Sequence, residues 1–279
     1  MKIPSIYKKL QTAGAVAILA LGISSQAAAF PIFTVDPNGA FGAGHGSSAP
    51  GTGFQADFIT GNSSTLVTLN PGPNTAAGSG WVNFSSFVDG GSNVLASVSG
   101  LNSSWQMWAE FSYTLSLVSG PFGAVGSTYH LDSLNASLWA DPSIGSPTTF
   151  ISASDSPLTN ATVAHGVGTV MLATGAVGPG VGTGVADING LGGTGFNAIT
   201  DFHLITPQGT SLFTSPVPFY TIQFQEFNNT TSGVSISPTH IVINQATGGV
   251  DFNRVPEPAT VALLGIGLLG IGAARRRKA

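Results

Sequence analysis

The chain has no cysteine. That excludes disulfides, thiolate metal sites and cysteine nucleophiles, so the fold needs no oxidation. Positive charge is nearly as scarce through the middle. Lys2, Lys8 and Lys9 stand at the start and Arg275, Arg276, Arg277 and Lys278 at the end, which leaves Arg254 alone for everything between. The acids lie the other way, from Asp36 through Glu110 to Glu226 and Asp251, so the formal net charge of −4 conceals a much more acidic interior stretch. A surface that grips phosphates needs Lys and Arg to neutralise them, and this excludes nucleic acid and anionic lipid surfaces as partners of the body. Short catalytic strings are missing as well. No HExxH or GxSxG occurs, and His45, His130, His165, His203 and His240 are scattered without metal-ligand spacing. Two GxGxxG strings, Gly190–Gly195 and Gly265–Gly270, open into a strand pattern and lie within an apolar run, respectively, so neither sets up a dinucleotide turn.

What is present is segregated. The basic Lys2, Lys8 and Lys9, the apolar run from Ala13 to Ile23 and the small residues Ala27 to Ala29 read as a signal peptide over 1–29, with Ala27 and Ala29 meeting the peptidase and cleavage after Ala29. The far end reads as a second address. From Ala259 to Ala274 nothing is more polar than Thr260, and sixteen helical residues at about 1.5 Å rise span roughly 24 Å. That is somewhat short of a hydrocarbon core of about 30 Å, so local thinning or snorkelling must help. The cluster Arg275, Arg276, Arg277 and Lys278 behind it is the cytoplasmic anchor expected from the positive-inside rule. Pro256 and Pro258 break any helix at the outer boundary, because proline lacks the N–H and clashes with the preceding turn.

The order "VPEP" at Val255–Pro258, one short hydrophobic helix, then "RRRK" resembles the PEP-CTERM sorting signal of exported bacterial proteins. The resemblance implies that an exosortase, a membrane transpeptidase, recognises Pro256, Glu257 and Pro258. It also implies a Gram-negative host that makes an exopolysaccharide, with the precursor held in the inner membrane through 259–274. "FQADFITGN" at 54–62, "LNASLWADP" at 134–142 and "SPVPFYTIQFQEFNNTTSGV" at 215–234 are similar to the flocculation-associated members of that family. Where those members often carry an aromatic and an acid after the Gly-Asn, this chain has Ser63, Ser64 and Thr65. This second resemblance implies a cell-surface or matrix protein that makes cells aggregate within their polysaccharide.

The body reads as β structure from its own pattern. In "WQMWAEFSYTLSL", Trp105, Met107, Ala109, Phe111, Tyr113, Leu115 and Leu117 alternate with mostly polar residues, and period two means a strand with one face buried. Shorter alternations occur over 54–60, 81–88, 131–140, 198–205, 219–227 and 235–244, separated by turn clusters such as "DGGSN" and "NPGPN". The expected fold is all-β: an antiparallel β-sandwich or jelly-roll-like body over 54–253, preceded by an irregular Gly-rich segment over 30–53 and followed by the sorting signal over 254–279. A second Gly-rich stretch, 166–195, is either a linker between two β domains or a pair of strands with long loops.

Candidate chemistry is sparse. Trp108 breaks the polar face of its strand and shares parity with Gln106 and Glu110, while Trp139 shares parity with Asn135, Ser137 and Asp141. An aromatic beside amides and carboxylates suits a sugar, whose C–H face stacks on the ring, so Trp108, Glu110 and Trp139 are the candidate glycan contact, against the alternative that the rings pack under a loop. Glu110 and Glu226 are the only glutamates of the body and the only pair a glycosidase reading has. Asp36–Gly39 and Asp187–Gly190 offer oxygens for calcium beside a glycine turn, but neither completes the twelve-residue loop, and Asx-type turns account for both. No cofactor and no catalysis are expected. The reading is an exported surface or matrix protein promoting flocculation with exopolysaccharide, the alternatives being a lectin-like module and a secreted glycoside hydrolase.

Overall fold

The computed structural model describes residues 31–253 apart from 144, 146, 178–182, 189–192 and 229–231, with backbone alone for 183–185, 222–228, 245, 251 and 253. The signal peptide and the sorting signal, with Ala27, Ala29, Pro256, Glu257, Pro258 and the helix expected over 259–274, lie outside the described residues. Among the described residues no helix is long and apolar enough to cross a membrane.

In chain order the strands are β1 (Phe33–Val35), β2 (Phe54–Ala56), β3 (Phe58–Asn70), β4 (Thr75–Asp89), β5 (Ser92–Asn93), β6 (Gln106–Ser119) and β7 (Thr128–Asp141). Four short ones follow, β8 (Thr149–Ile151), β9 (Ser154–Asp155), β10 (Leu158–Thr159) and β11 (Thr162–Ala164), then β12 (Val170–Val177), β13 (Thr183–Ile188), β14 (Thr194–Asp201) and β15 (His203–Leu204). The last are β16 (Phe213–Ser215), β17 (Ile222–Asn228), β18 (Val234–Ile236) and β19 (His240–Asn253). Helices are reduced to single turns: α1 (Pro37–Phe41), α2 (Ala96–Ser99) and α3 (Pro207–Leu212). The all-β antiparallel body is as the sequence predicts.

Its two layers are opposite walls of one sheet. Going round, β13, β14, β17, β19, β3, β4, β6 and β7 are hydrogen-bonded neighbours, and β13 pairs β7 again to close the ring. The N-terminal part of β7 pairs β13 through His130, Tyr129 and Thr128, while its C-terminal part, from Leu134 to Ala140, pairs β12. Closure removes the free edges that an open sheet would leave unpaired. Both β12 and β13 come from the Gly-rich stretch 166–195, so that stretch builds sheet rather than linking two bodies.

Alternation decides what fills the ring. On β6, Met107, Ala109, Phe111, Tyr113 and Leu115 point to the inside, and on β3 it is Ser63, Thr65, Val67 and Leu69. One end is plugged by aromatics: Phe33 meets Phe252 edge-on at 5.1 Å and Phe213 at 6.1 Å, with Phe202 and Phe219 packed beside them. Phe33 and Val35 belong to the segment over 30–53 that the sequence predicts to be irregular, and both are fully buried. That expectation is corrected: β1 pairs β2 and β16, and Asp36, itself buried, caps α1 by accepting from Gly39 N at 2.9 Å and Gly51 N at 2.5 Å. Two buried apolar side chains and a saturated carboxylate hold this segment down despite its glycines. At the opposite end Tyr129, Leu131, Leu134, Ile188 and Ile241 close a second cluster, and Gly123 N donates to the Tyr129 hydroxyl at 2.7 Å to tie the β6–β7 loop across it.

Outside the ring, residues 149–164 fold into a strap of two short ladders, β8 with β11 and β9 with β10. The strap lies over Leu66, Trp81 and Val242, with Phe150, Ala153 and Ala161 forming its underside. Trp81 Nε1 donates to the Ile151 carbonyl at 2.9 Å, and Ala153 N donates to Ser64 Oγ at 2.8 Å.

Candidate functional site

Trp108 and Glu110 leave β6 on its outer face because they are two residues apart. Trp139 stands opposite Trp108 in the β6–β7 ladder, and their rings are stacked at 10° with centroids 6.5 Å apart. His165 arrives just beyond β11 and sets its ring edge-on to both, 5.3 Å from Trp108 and 4.7 Å from Trp139. Three of these four residues were singled out from sequence. His165 was not, because nothing in its spacing signals a contact with Glu110, fifty-five residues earlier.

The two tryptophans differ in kind. Trp108 is fully buried, with Phe150 of the strap edge-on at 5.9 Å and His165 on its flank. Its expected role as an open platform is corrected: outward from the ring is inward under the strap, and no sugar reaches it. Trp139 is half-buried and keeps part of its ring at the surface. Glu110 Oε1 accepts from Trp108 Nε1 at 3.0 Å and lies 2.6 Å from His165 Nε2, with Thr169 Oγ1 3.4 Å from the other ring nitrogen of His165. One carboxylate oxygen is therefore committed to positioning two rings. The other has no bond among the described residues. The Glu110 and His165 side chains keep 36% and 31% of their surface, so both border Trp139 as reachable polar groups. Asp141 does not join them. It is buried and saturated by Ser143 N, Thr148 N and Thr148 Oγ1, each at 2.9 Å, which makes it the pin of the loop leading to the strap.

Glu226 lies elsewhere. It sits on β17 in register with Asn197 and Gly249, and three strands separate β17 from β6 in either direction round the ring. A glycosidase needs its two carboxylates across one cleft, whereas the strands that carry Glu110 and Glu226 are on opposite walls of the ring. Asp36 of the first candidate calcium turn has both oxygens on backbone N–H groups, an N-cap rather than a cation ligand. Asp187 of the second stands between Ala186 and Ile188, which pack inward, so its side chain faces the other side of β13, and residues 189 and 190 lie outside the described set. Among the described residues no cluster of three His, Asp or Glu side chains is placed to hold a metal.

A second constellation had no sequence signal at all. His240 Nε2 lies 2.6 Å from Asp155 Oδ1, Ser237 Oγ lies 2.8 Å from His240 Nδ1, and Ser235 Oγ donates to Asp155 Oδ2 at 2.7 Å. Ser, His and Asp in sequence of contact suggest a nucleophile and its base, but Ser237 Oγ also donates to the His240 carbonyl at 3.0 Å and accepts from its N–H at 3.1 Å. The hydroxyl is held by its own turn. The group acts as a clamp joining the strap to β18 and β19, and its hydrogen bonds from Ser235 and His240 hold the Asp155 carboxyl below its ordinary range.

Comparison with known proteins adds to the tail and not to the body. No curated protein and no solved structure matches the chain. Residues 254–278 match the family model of the PEP-CTERM protein-sorting motif. The chain thus carries the PEP-CTERM sorting signal and is an exosortase-sorted extracellular bacterial protein, made as a membrane-anchored precursor.

Proposed function

We propose that the body works without catalysis in the exopolysaccharide matrix or at the cell surface, where it promotes aggregation of cells into flocs or biofilm. The observation that carries the reading is the Trp139 face: a half-buried indole on a rigid two-strand ladder, bordered by Glu110 and His165, whose orientations are fixed by their mutual contact. A pre-positioned ring with polar neighbours supplies stacking for a sugar's C–H face and hydrogen bonds for its hydroxyls, with little ordering left to do on binding. The face lies on a ring-shaped body with no Lys or Arg between 31 and 253. Such a body repels an acidic polysaccharide unless divalent cations bridge carboxylate to carboxylate through oxygen ligands. Calcium or magnesium from the medium, rather than a resident ion, is the partner this implies.

The test is co-precipitation of the protein with the host's isolated exopolysaccharide, alongside a turnover assay on the same material. Retention by the polysaccharide, at least tenfold weaker for Trp139→Ala and without release of reducing ends, supports the reading. Release of sugars that Glu110→Gln abolishes points instead to hydrolysis.

A further inference from the structure

The interior of the ring is not filled. Between its two plugged ends lies a cavity of about 90 Å³, walled by Val67, Phe111, Tyr113, Phe196 and Ile241. The space exists because several inward positions carry only a methyl group, among them Ala109, Ala136, Ala186 and Ala246. At about 10–15 Å³ for each water-sized body, the cavity has room for roughly six to nine. It is long for that volume. Inward residues of β3 alone run from Ser63 to Leu69, and six steps at about 3.3 Å make roughly 20 Å of wall, less the tilt of the strands. A thin, long and mostly apolar space fits an extended chain and not a sugar or a fused ring.

Among the described residues, hydroxyl side chains interrupt the apolar wall at Ser63, Thr65, Tyr113, Tyr129 and Thr194. Ser63, Thr65 and Tyr113 are each at least nine-tenths buried, and no hydrogen bond to their hydroxyls exists among the described residues. A buried hydroxyl without a partner costs about 1–3 kcal/mol. Burial pushes the Tyr113 hydroxyl well above its ordinary pKa, so it stays a neutral donor. The walls also say what the ligand is not. Residues 31–253 contain no Lys or Arg, so an anionic head group inside would meet no counter-charge.

We propose that the ring encloses a binding site for an uncharged linear aliphatic molecule of the fatty-alcohol class, its chain along Phe111, Val67 and Ile241 and its hydroxyl on Tyr113, Ser63 or Thr65. This site is separate from the Trp139 face, which lies on the outside of the sheet. Loss of one leaves the other in place.

The experiment uses the full chain in lipid nanodiscs with 8,8,8-trifluorooctan-1-ol, followed by fluorine NMR. Alcohol dissolved in lipid gives one resonance, and alcohol in the cavity gives a second, shifted one that saturates near one molecule per chain. We expect Ala136→Phe, which fills the cavity, to abolish the second resonance, and Tyr113→Phe to weaken it severalfold. 8,8,8-Trifluorooctanoate at pH 8 gives no second resonance. The proposal is overturned by a folded protein with lipid resonance alone, by a second resonance that survives Ala136→Phe, or by the octanoate binding as well as the alcohol. Should Ala136→Phe fail to fold, Tyr113→Phe decides: a second resonance of unchanged affinity overturns it.

Discussion

Trp108 and Trp139 are cross-strand partners with nearly parallel rings 6.5 Å apart, yet only Trp139 reaches the surface. The same residue type in the same ladder therefore is fully packed at one position and keeps part of its surface exposed at the next. Trp108→Ala should lower stability by about 3–5 kcal/mol, the cost of emptying a large buried site. Trp139→Ala should leave the melting temperature near wild type while weakening retention on exopolysaccharide. Thermal melting and co-precipitation on both variants check this, and equal loss of stability in the two would contradict it.

Glu110 holds Trp108 and His165 with the same oxygen, and two substitutions separate what that is worth. Glu110→Gln keeps an acceptor for the indole N–H and loses only a partly exposed charge, so we expect less than about 1 kcal/mol. Glu110→Ala strands the buried Trp108 N–H and should cost about 1–3 kcal/mol. Chemical denaturation of both variants measures the difference.

Much of the fold is legible in the sequence because alternation is local. The run from Trp105 to Leu117 states which residues of β6 face inward, and Tyr113 and Leu115 lie there. The parity of Trp108 is legible too. Its burial is not, because the strap that covers it consists of strands two and three residues long, too short to show a period. Closure of the ring is equally silent: β13 is a Gly-rich segment whose pairing with β7 joins Val185 to His130, fifty-five residues apart. Phe33 and Val35 went unread for a related reason, since a three-residue strand beside a glycine-rich run carries no pattern until its partners β2 and β16 are in place. Pairing at long range decides which outward residues remain outside.

The clamp between the strap and β19 has a pH signature. Hydrogen bonds from Ser235 first and His240 next favour the ionised Asp155. Its folded pKa is lowered, so its contribution to stability is fully present above the ordinary carboxylate value of about 3.9 and is lost as pH falls through the folded value. A carbon-13 NMR titration should place Asp155 below the ordinary carboxylate value, and Ser235→Ala should move it back up. An Asp155 titration unchanged by that substitution would remove the hydrogen bond as its cause.

Sorting and folding act at different steps, so they should separate genetically. Glu257→Ala should leave export and the β-rich far-UV spectrum intact and block processing of the tail. Mass spectrometry of the exported chain reads this directly, and normal processing of the variant would remove Glu257 from the recognition step.

Aggregation itself is the claim that the rest serves. In a settling assay on the producing strain, deletion of the coding sequence should leave cells dispersed, and wild-type complementation should restore flocs that a chelator disperses and that sodium at equal ionic strength does not rebuild. Complementation with Trp139→Ala, exported and folded, should leave cells dispersed. Deletion cells that settle as fast as wild type, in the presence of the same polysaccharide, would contradict the account.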